Sequence, residues 1–226
     1  MIIAVGHTKG GVGKSTITVQ LATYLRVIKG IEKVWVIDTD PQKSVSNSFM
    51  ERNATSKETI SCASYTNGKE LRQQLTANKD YWEQIIIDIG GRDSNAFRSA
   101  LMLADVLVIP TIPRSYDLAA LNDLYGLLED AWGVGANVKA LAFLSCADPQ
   151  GSANEEAIEY IEQFPEITLI KAPINRRKAI GLASASGYLY LNIHLKTKRL
   201  VQKLKFWQNR FMENKKNGNT KEINHH

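Results

Sequence analysis

Lys9-Gly10-Gly11-Val12-Gly13-Lys14-Ser15-Thr16 narrows what this chain can fold into more than any other stretch. It sets a glycine-rich turn directly between an apolar strand pattern and an apolar helical one. Ile2-Ile3-Ala4-Val5 has the length and β-branched content of a buried strand, and Ile17 to Ile28 carries apolar residues at helical spacing. Glycines at such a junction let backbone N–H groups close around an anion, and the helix N-terminus adds partial positive charge. In that setting Gly10, Gly11, Val12, Gly13 and Thr16 form the cradle, Lys14 reaches the outer phosphates of a nucleotide, and the Ser15 hydroxyl can bind Mg²⁺. The usual spacing, G-x-x-x-x-G-K-[ST], has Thr8 in its first position here, and a second lysine, Lys9, sits inside the turn. Lys9 is poorly placed to serve the same phosphates as Lys14 and better suited to a nucleotide held by a facing subunit.

A chain of 226 residues suffices for one sizeable α/β domain, expected over residues 1–213, with the Lys- and Asn-rich stretch 214–226 as a disordered tail. No run approaches the roughly 20 apolar residues of a membrane span, and the N-terminus lacks a basic, long apolar signal, so a cytoplasmic protein is expected. Cys62 and Cys146 lie far apart in apolar segments and read as buried thiols rather than a disulfide or metal site. The net charge of +5 hides an asymmetry: residues 171–226 hold 13 Lys/Arg against Glu213 and Glu222 only. The remainder is acidic overall. A basic C-terminal quarter on an acidic body points to a polyanionic partner.

Along the chain, Lys33 to Asp38 reads as a second buried strand ending at a carboxylate, and Pro41 forces the chain out of the sheet just after Asp40. Asp38 and Asp40 are thereby presented at the carboxyl end of a strand, where open parallel sheets bind ligands. Helices are expected over 43–52, 69–78, 94–104, 117–132 and 154–163, and strands over 59–63, 84–88, 105–110, 139–144 and 167–170, the last of them closing the sheet. The alternation, with right-handed crossovers, predicts a mostly parallel twisted sheet with helices on both faces. Gln84-Ile85-Ile86-Ile87-Asp88 is the sharpest of these strands, and an apolar strand ending in Asp beside a phosphate loop is the expected place for a ligand to Mg²⁺ waters. Gly90-Gly91 follows, mobile enough to sense a γ-phosphate through a backbone N–H.

These motifs together resemble the ParA/MinD group of deviant Walker A ATPases, most closely the small plasmid-type ParA partition proteins that lack an added N-terminal DNA-binding domain. Lys9 to Ser15 resembles their deviant Walker A, Asp38-Thr39-Asp40-Pro41-Gln42 their Walker A′, Ile86-Ile87-Asp88 their Walker B, and Ile109-Pro110-Thr111-Ile112-Pro113 their proline-bearing strand end. The resemblance covers roughly residues 1 to 190. It implies a P-loop fold, ATP and Mg²⁺ as cofactors, and an ATP-sandwich homodimer in which Lys9 acts across the interface. It further implies catalytic roles for Lys9, Lys14 and Asp40, with Asp40 orienting the attacking water, Ser15 binding Mg²⁺ directly, and Asp38 and Asp88 holding its waters. Turn capping is the alternative role for Asp38 and Asp40. Two departures stand out: Gly90-Gly91 occurs where many relatives have prolines, and His7-Thr8 where a polar pair ending in glutamine or proline is common. A loop histidine with its hydrogen bonds satisfied is the expectation for His7.

Residues 192–212 place Ile193, Leu200, Leu204, Trp207 and Phe211 on one helical face and Lys196, Arg199, Lys203 and Arg210 beside it. Arg176-Arg177-Lys178 forms a second basic cluster after the last expected strand, with adenine or the dimer interface as alternative contacts for it. Without a recognition motif, such clusters suit backbone contacts to non-specific DNA. Three readings follow: a DNA-segregation ATPase released by a ParB-like centromere-binding activator, a MinD-like membrane-associated positioning ATPase whose basic helix lies on anionic lipid, and a metabolic or metallocluster relative on the same core. The lack of a close cysteine pair argues against cluster binding.

Overall fold

The computed structural model describes residues 1–91, 93–147, 152–190 and 202. Apart from residue 202, the basic stretch 192–212, with Lys196, Arg199, Lys203 and Arg210, and the tail 214–226 lie outside the described residues.

Strands and helices alternate from the start: β1 (Ile2–Val5), α1 (Lys14–Thr23), β2 (Val34–Asp38), α2 (Ser44–Thr55), β3 (Ser61–Ser64), α3 (Gly68–Asn78), β4 (Gln84–Asp88), α4 (Asn95–Leu103), β5 (Val106–Thr111), α5 (Ser115–Gly133), β6 (Lys139–Ala147), α6 (Ala153–Ile161), β7 (Ile167–Leu169), β8 (Ile174–Asn175) and α7 (Lys178–Ala185). The sheet runs β3-β2-β4-β1-β5-β6-β7 with β8 beside β6, and these pairs are parallel. The near-continuous apolar runs of β1, β2, β4 and β5 are what burial on both faces demands.

Side-chain alternation divides the interior between two layers. Ala4, Ile37, Ile85, Ile87, Leu107 and Ile109 pack with residues of α3, α4, α5 and α6, whereas Ile3, Val5, Val36, Ile86, Val106 and Val108 pack with α1, α2 and α7. Ile85, Ile86 and Ile87 are essentially unexposed, each worth about 2 kcal/mol of burial. Their register carries the site: Val5 pairs with Asp88 across β1 and β4, and Asp38 pairs with Asp88 across β2 and β4.

The structure departs from the sequence expectation at three places. The helical stretch expected over 17–28 begins at Lys14, and its end widens into a π-turn over Tyr24–Ile28, with Lys29 N–H bonded five residues back to the Tyr24 carbonyl. Ile167–Leu169 is not the last strand, because β8 and α7 follow it. Cys62 and Cys146 are free and half-buried rather than fully buried.

Candidate functional site

The phosphate-loop residues leave β1 under tight backbone control. Gly6 N–H donates to the Val108 carbonyl (3.0 Å), Thr8 Oγ1 donates to the Ala120 carbonyl (3.0 Å), and Lys9 N–H donates to Nδ1 of His7 (3.0 Å). Gly11 (φ 78°) and Gly13 (φ 97°) occupy the left-handed region, which is what reverses the chain into α1. Gly13 is the N-cap of α1 and no side chain caps that helix, whereas Asn67 caps α3 and Ser94 caps α4. The first N–H groups of α1 thus face the loop uncapped, with the partial positive charge of the helix end behind them.

The two lysines of the loop have opposite environments. Lys14 is buried, its Nζ donating to the Lys9 carbonyl at 3.0 Å, and Lys9 is exposed. Burial pushes the Lys14 ammonium below its ordinary range, against the upward pull of Asp88 and Asp40.

The carboxylates converge as the strand ends bring them level. Asp88, buried at the end of β4, accepts Ser15 Oγ on Oδ2 (2.8 Å) and Thr18 Oγ1 on Oδ1 (2.8 Å). Burial pushes its carboxyl up to about 7, with Asp38 adding to the rise and the Thr18 and Ser15 hydroxyls and Lys14 opposing it. Asp38 is fully buried; it accepts Asp40 N–H on Oδ1 (3.0 Å) and Ser46 N–H on Oδ2 (2.9 Å). Asp40 is half-buried and accepts Gln42 N–H on Oδ1 (2.9 Å). The turn-capping alternative therefore describes bonds that both aspartates make.

Gly90 and Gly91 cross directly over the loop. A Cβ on Gly91 would stand 3.1 Å from Lys14 Nζ and 3.4 Å from Gly10 Cα, and one on Gly90 would stand 3.8 Å from Asp40 Oδ2. Gly90 N–H is taken by Thr39 Oγ1 (3.2 Å), which itself donates to the Asp88 carbonyl (2.9 Å).

Sequence reasoning missed Thr18, Thr39 and the buried character of His7. Thr18 was recoverable, since it lies one helical turn beyond Ser15 and so shares its face. Thr39 gave no signal beyond its place between two aspartates. His7 is unexposed; its Nδ1 is satisfied but its Nε2 has no hydrogen-bond partner among the described residues, which corrects the expectation of a satisfied loop histidine.

Arg176, Arg177 and Lys178 are exposed and link β8 to α7. Because β8 runs parallel to β6, this cluster emerges at the same end of the sheet as Lys9 and Asp40. Helix α7 and its exit are tied to α1 and α2. Gln20 Nε2 donates to Ser184 Oγ and the Tyr188 carbonyl (both 2.9 Å), Gln20 Oε1 accepts Tyr190 N–H (2.8 Å), and Thr23 Oγ1 and Arg52 Nη1 each donate to the Gly187 carbonyl (3.2 Å).

Comparison with known proteins agrees with this geometry. The chain is 35% identical over 120 residues to the Maintenance of carboxysome distribution protein A of Gloeobacter kilaueensis, a match that spans 53% of each chain. Among solved structures, the fold superposes on nucleotide-free McdA of Cyanothece with a TM-score of 0.74 at 15% identity, covering 90% of this chain and 98% of that one. It superposes on a plasmid partition protein of Borrelia burgdorferi bound to AMPPNP with a TM-score of 0.69 at 19% identity, covering 89% and 98%. Residues 3–222 match the CobQ/CobB/MinD/ParA nucleotide binding domain, and the chain belongs to that family.

Proposed function

We propose that the protein is a Mg²⁺-dependent ATPase whose ATP-bound form closes into a homodimer and holds non-specific DNA until a partner protein stimulates hydrolysis. The observation that carries this reading is the opposite exposure of the two lysines on one loop. Lys14 lies within its own site and takes the β- and γ-phosphates by leaving the Lys9 carbonyl. Lys9 faces outward, where only a second subunit's nucleotide would meet it.

The residues fit a hard divalent ion: Asp38 and Asp88 end adjacent strands side by side, and Ser15 Oγ in the first turn of α1 lies within 2.8 Å of Asp88, so all three are oxygen donors. When bound with the nucleotide, Mg²⁺ supplies charge neutralisation on the phosphate oxygens. Ser15, Asp38 and Asp88 would hold the ion, and Asp40 would orient the attacking water. Gly90 N–H is available to a γ-phosphate once Thr39 releases it. Phosphoryl transfer rests on positioning and electrostatics, and these groups supply both.

Arg176, Arg177 and Lys178, with Lys196, Arg199, Lys203 and Arg210, supply the phosphate contacts to DNA. Pairing two subunits doubles those contacts, so ATP controls DNA affinity steeply. The activator is a ParB-like protein if the cargo is a replicon. The similarity to proteins named for the maintenance of carboxysome distribution favours a second reading, in which the same cycle distributes a cellular body instead of a replicon.

DNA retention measured with ATP, with ADP and at raised salt tests the proposal. ATP-dependent, salt-sensitive retention is expected. Retention that ignores nucleotide, or capture by anionic vesicles but not DNA, would contradict it and favour the membrane-positioning reading.

A further inference from the structure

His7 is unexposed just before the glycine-rich loop and leaves its Nε2 without a hydrogen-bond partner among the described residues. A buried N–H with no acceptor costs about 1–3 kcal/mol, so the ring must contribute something the surroundings cannot supply otherwise. Its Nδ1 accepts the Lys9 N–H at 3.0 Å. That bond sets the tautomer: Nδ1 is the acceptor, so the neutral ring carries its proton on Nε2. Protonating Nδ1 would remove the acceptor. Burial, reinforced by the Lys14 and Lys9 ammoniums, opposes that protonation.

The consequence falls on Lys9. Its N–H is turned inward to the imidazole, its carbonyl holds Lys14 Nζ at 3.0 Å, and Thr8 just before it is tied to α5 through the Ala120 carbonyl. With both backbone groups committed inward, the Lys9 side chain is left on the exposed side of the loop. We infer that His7 is a positioning residue for Lys9: its Nδ1 anchors the Lys9 amide and thereby presents the Lys9 side chain to the facing subunit. The inference rests on the proposed role of Lys9 across a dimer, and its anchoring part stands independently of that role.

The variants His7→Asn and His7→Leu separate anchoring from packing. Asn carries an acceptor oxygen on Cγ where His carries Nδ1, and Leu carries none. Hydrogen exchange of the Lys9 amide, read by NMR on the nucleotide-free protein, is expected to be protected in wild type and His7→Asn and unprotected in His7→Leu. Steady-state ATPase assays are expected to show His7→Leu losing roughly tenfold in kcat with KM nearly unchanged, and His7→Asn retaining wild-type kcat. In a Lys9→Ala background His7→Leu adds no further loss. Unaltered Lys9 protection in His7→Leu, or a failure of His7→Asn to restore both readouts, overturns the inference. Should Lys9→Ala itself keep full kcat while His7→Leu still unprotects the Lys9 amide, the two-subunit role of Lys9 fails and the anchoring survives.

Discussion

The ammonium of Lys14 donates to the carbonyl oxygen of Lys9 at 3.0 Å, so the lysine proposed to take the nucleotide's phosphates is folded back onto its own loop. A phosphate must displace that carbonyl, and the charge-assisted bonds it offers are stronger than the one it replaces.

Lys14→Ala is accordingly expected to abolish ATP binding in calorimetry, with affinity falling by roughly a hundredfold or more. Lys9→Ala should change the affinity of the isolated subunit by less than about fivefold, because its side chain faces away from that site. Equal losses in the two variants would count against the assignment of separate roles.

If Asp88 holds Mg²⁺ as proposed, its proton reports on that binding step. Its folded carboxyl, pushed up to about 7, lies above the ordinary value of 3.8, so the folded protein binds the extra proton between those limits. The stability it contributes is full below pH 3.8 and is lost as pH rises through 7. Mg²⁺ with ATP needs the carboxylate, so binding near pH 7 should release a proton, seen as a dependence of binding heat on buffer ionisation enthalpy. Thr18→Val removes the Oδ1 donor, raises the Asp88 carboxyl further and enlarges that release.

His7 acts with the opposite sign. Its folded value of about 4 lies below the ordinary 6.5, so the unfolded chain takes up the proton first and stability falls as pH drops through that window. Urea denaturation of wild type and His7→Asn should therefore diverge on going from pH 7.5 to pH 4.5, in favour of the variant by about 2–3 kcal/mol. Parallel curves would show that the ring is not held neutral.

Much of this was legible in the chain, and the parts that were not have a common cause. β1, β2 and β4 announced themselves because strands buried on both faces are apolar without interruption, and Asp38 and Asp88 ended them visibly. β8 has two residues and α7 eight, too short for periodicity to register, and α7 is held largely by polar bonds from Gln20 and by Arg52 and Thr23 at Gly187. Thr39 acts through hydrogen bonds to Asp88 and Gly90, which only the folded backbone brings near, and His7 through a local bond to the Lys9 amide that depends on the shape of the loop.

Gly187 illustrates the same point and gives a stability test. It sits at φ 69°, and a Cβ there would stand 2.6 Å from both Arg52 Cβ and the Ser48 carbonyl oxygen. Gly187→Ala should cost about 2–4 kcal/mol in thermal or chemical unfolding, combining left-handed strain with the clash. A loss under about 0.5 kcal/mol would mean that the α7 exit is not packed as described.

The proposed exchange of Lys9 between subunits is tested most directly by mixing two inactive variants. Lys9→Ala keeps its own Asp40 but donates no lysine, and Asp40→Ala donates Lys9 but lacks its own water-orienting carboxylate. In a mixed dimer one of the two sites is complete, so an equimolar mixture should recover about a quarter of wild-type ATPase activity if subunits pair at random. A mixture no more active than its two components would contradict the account.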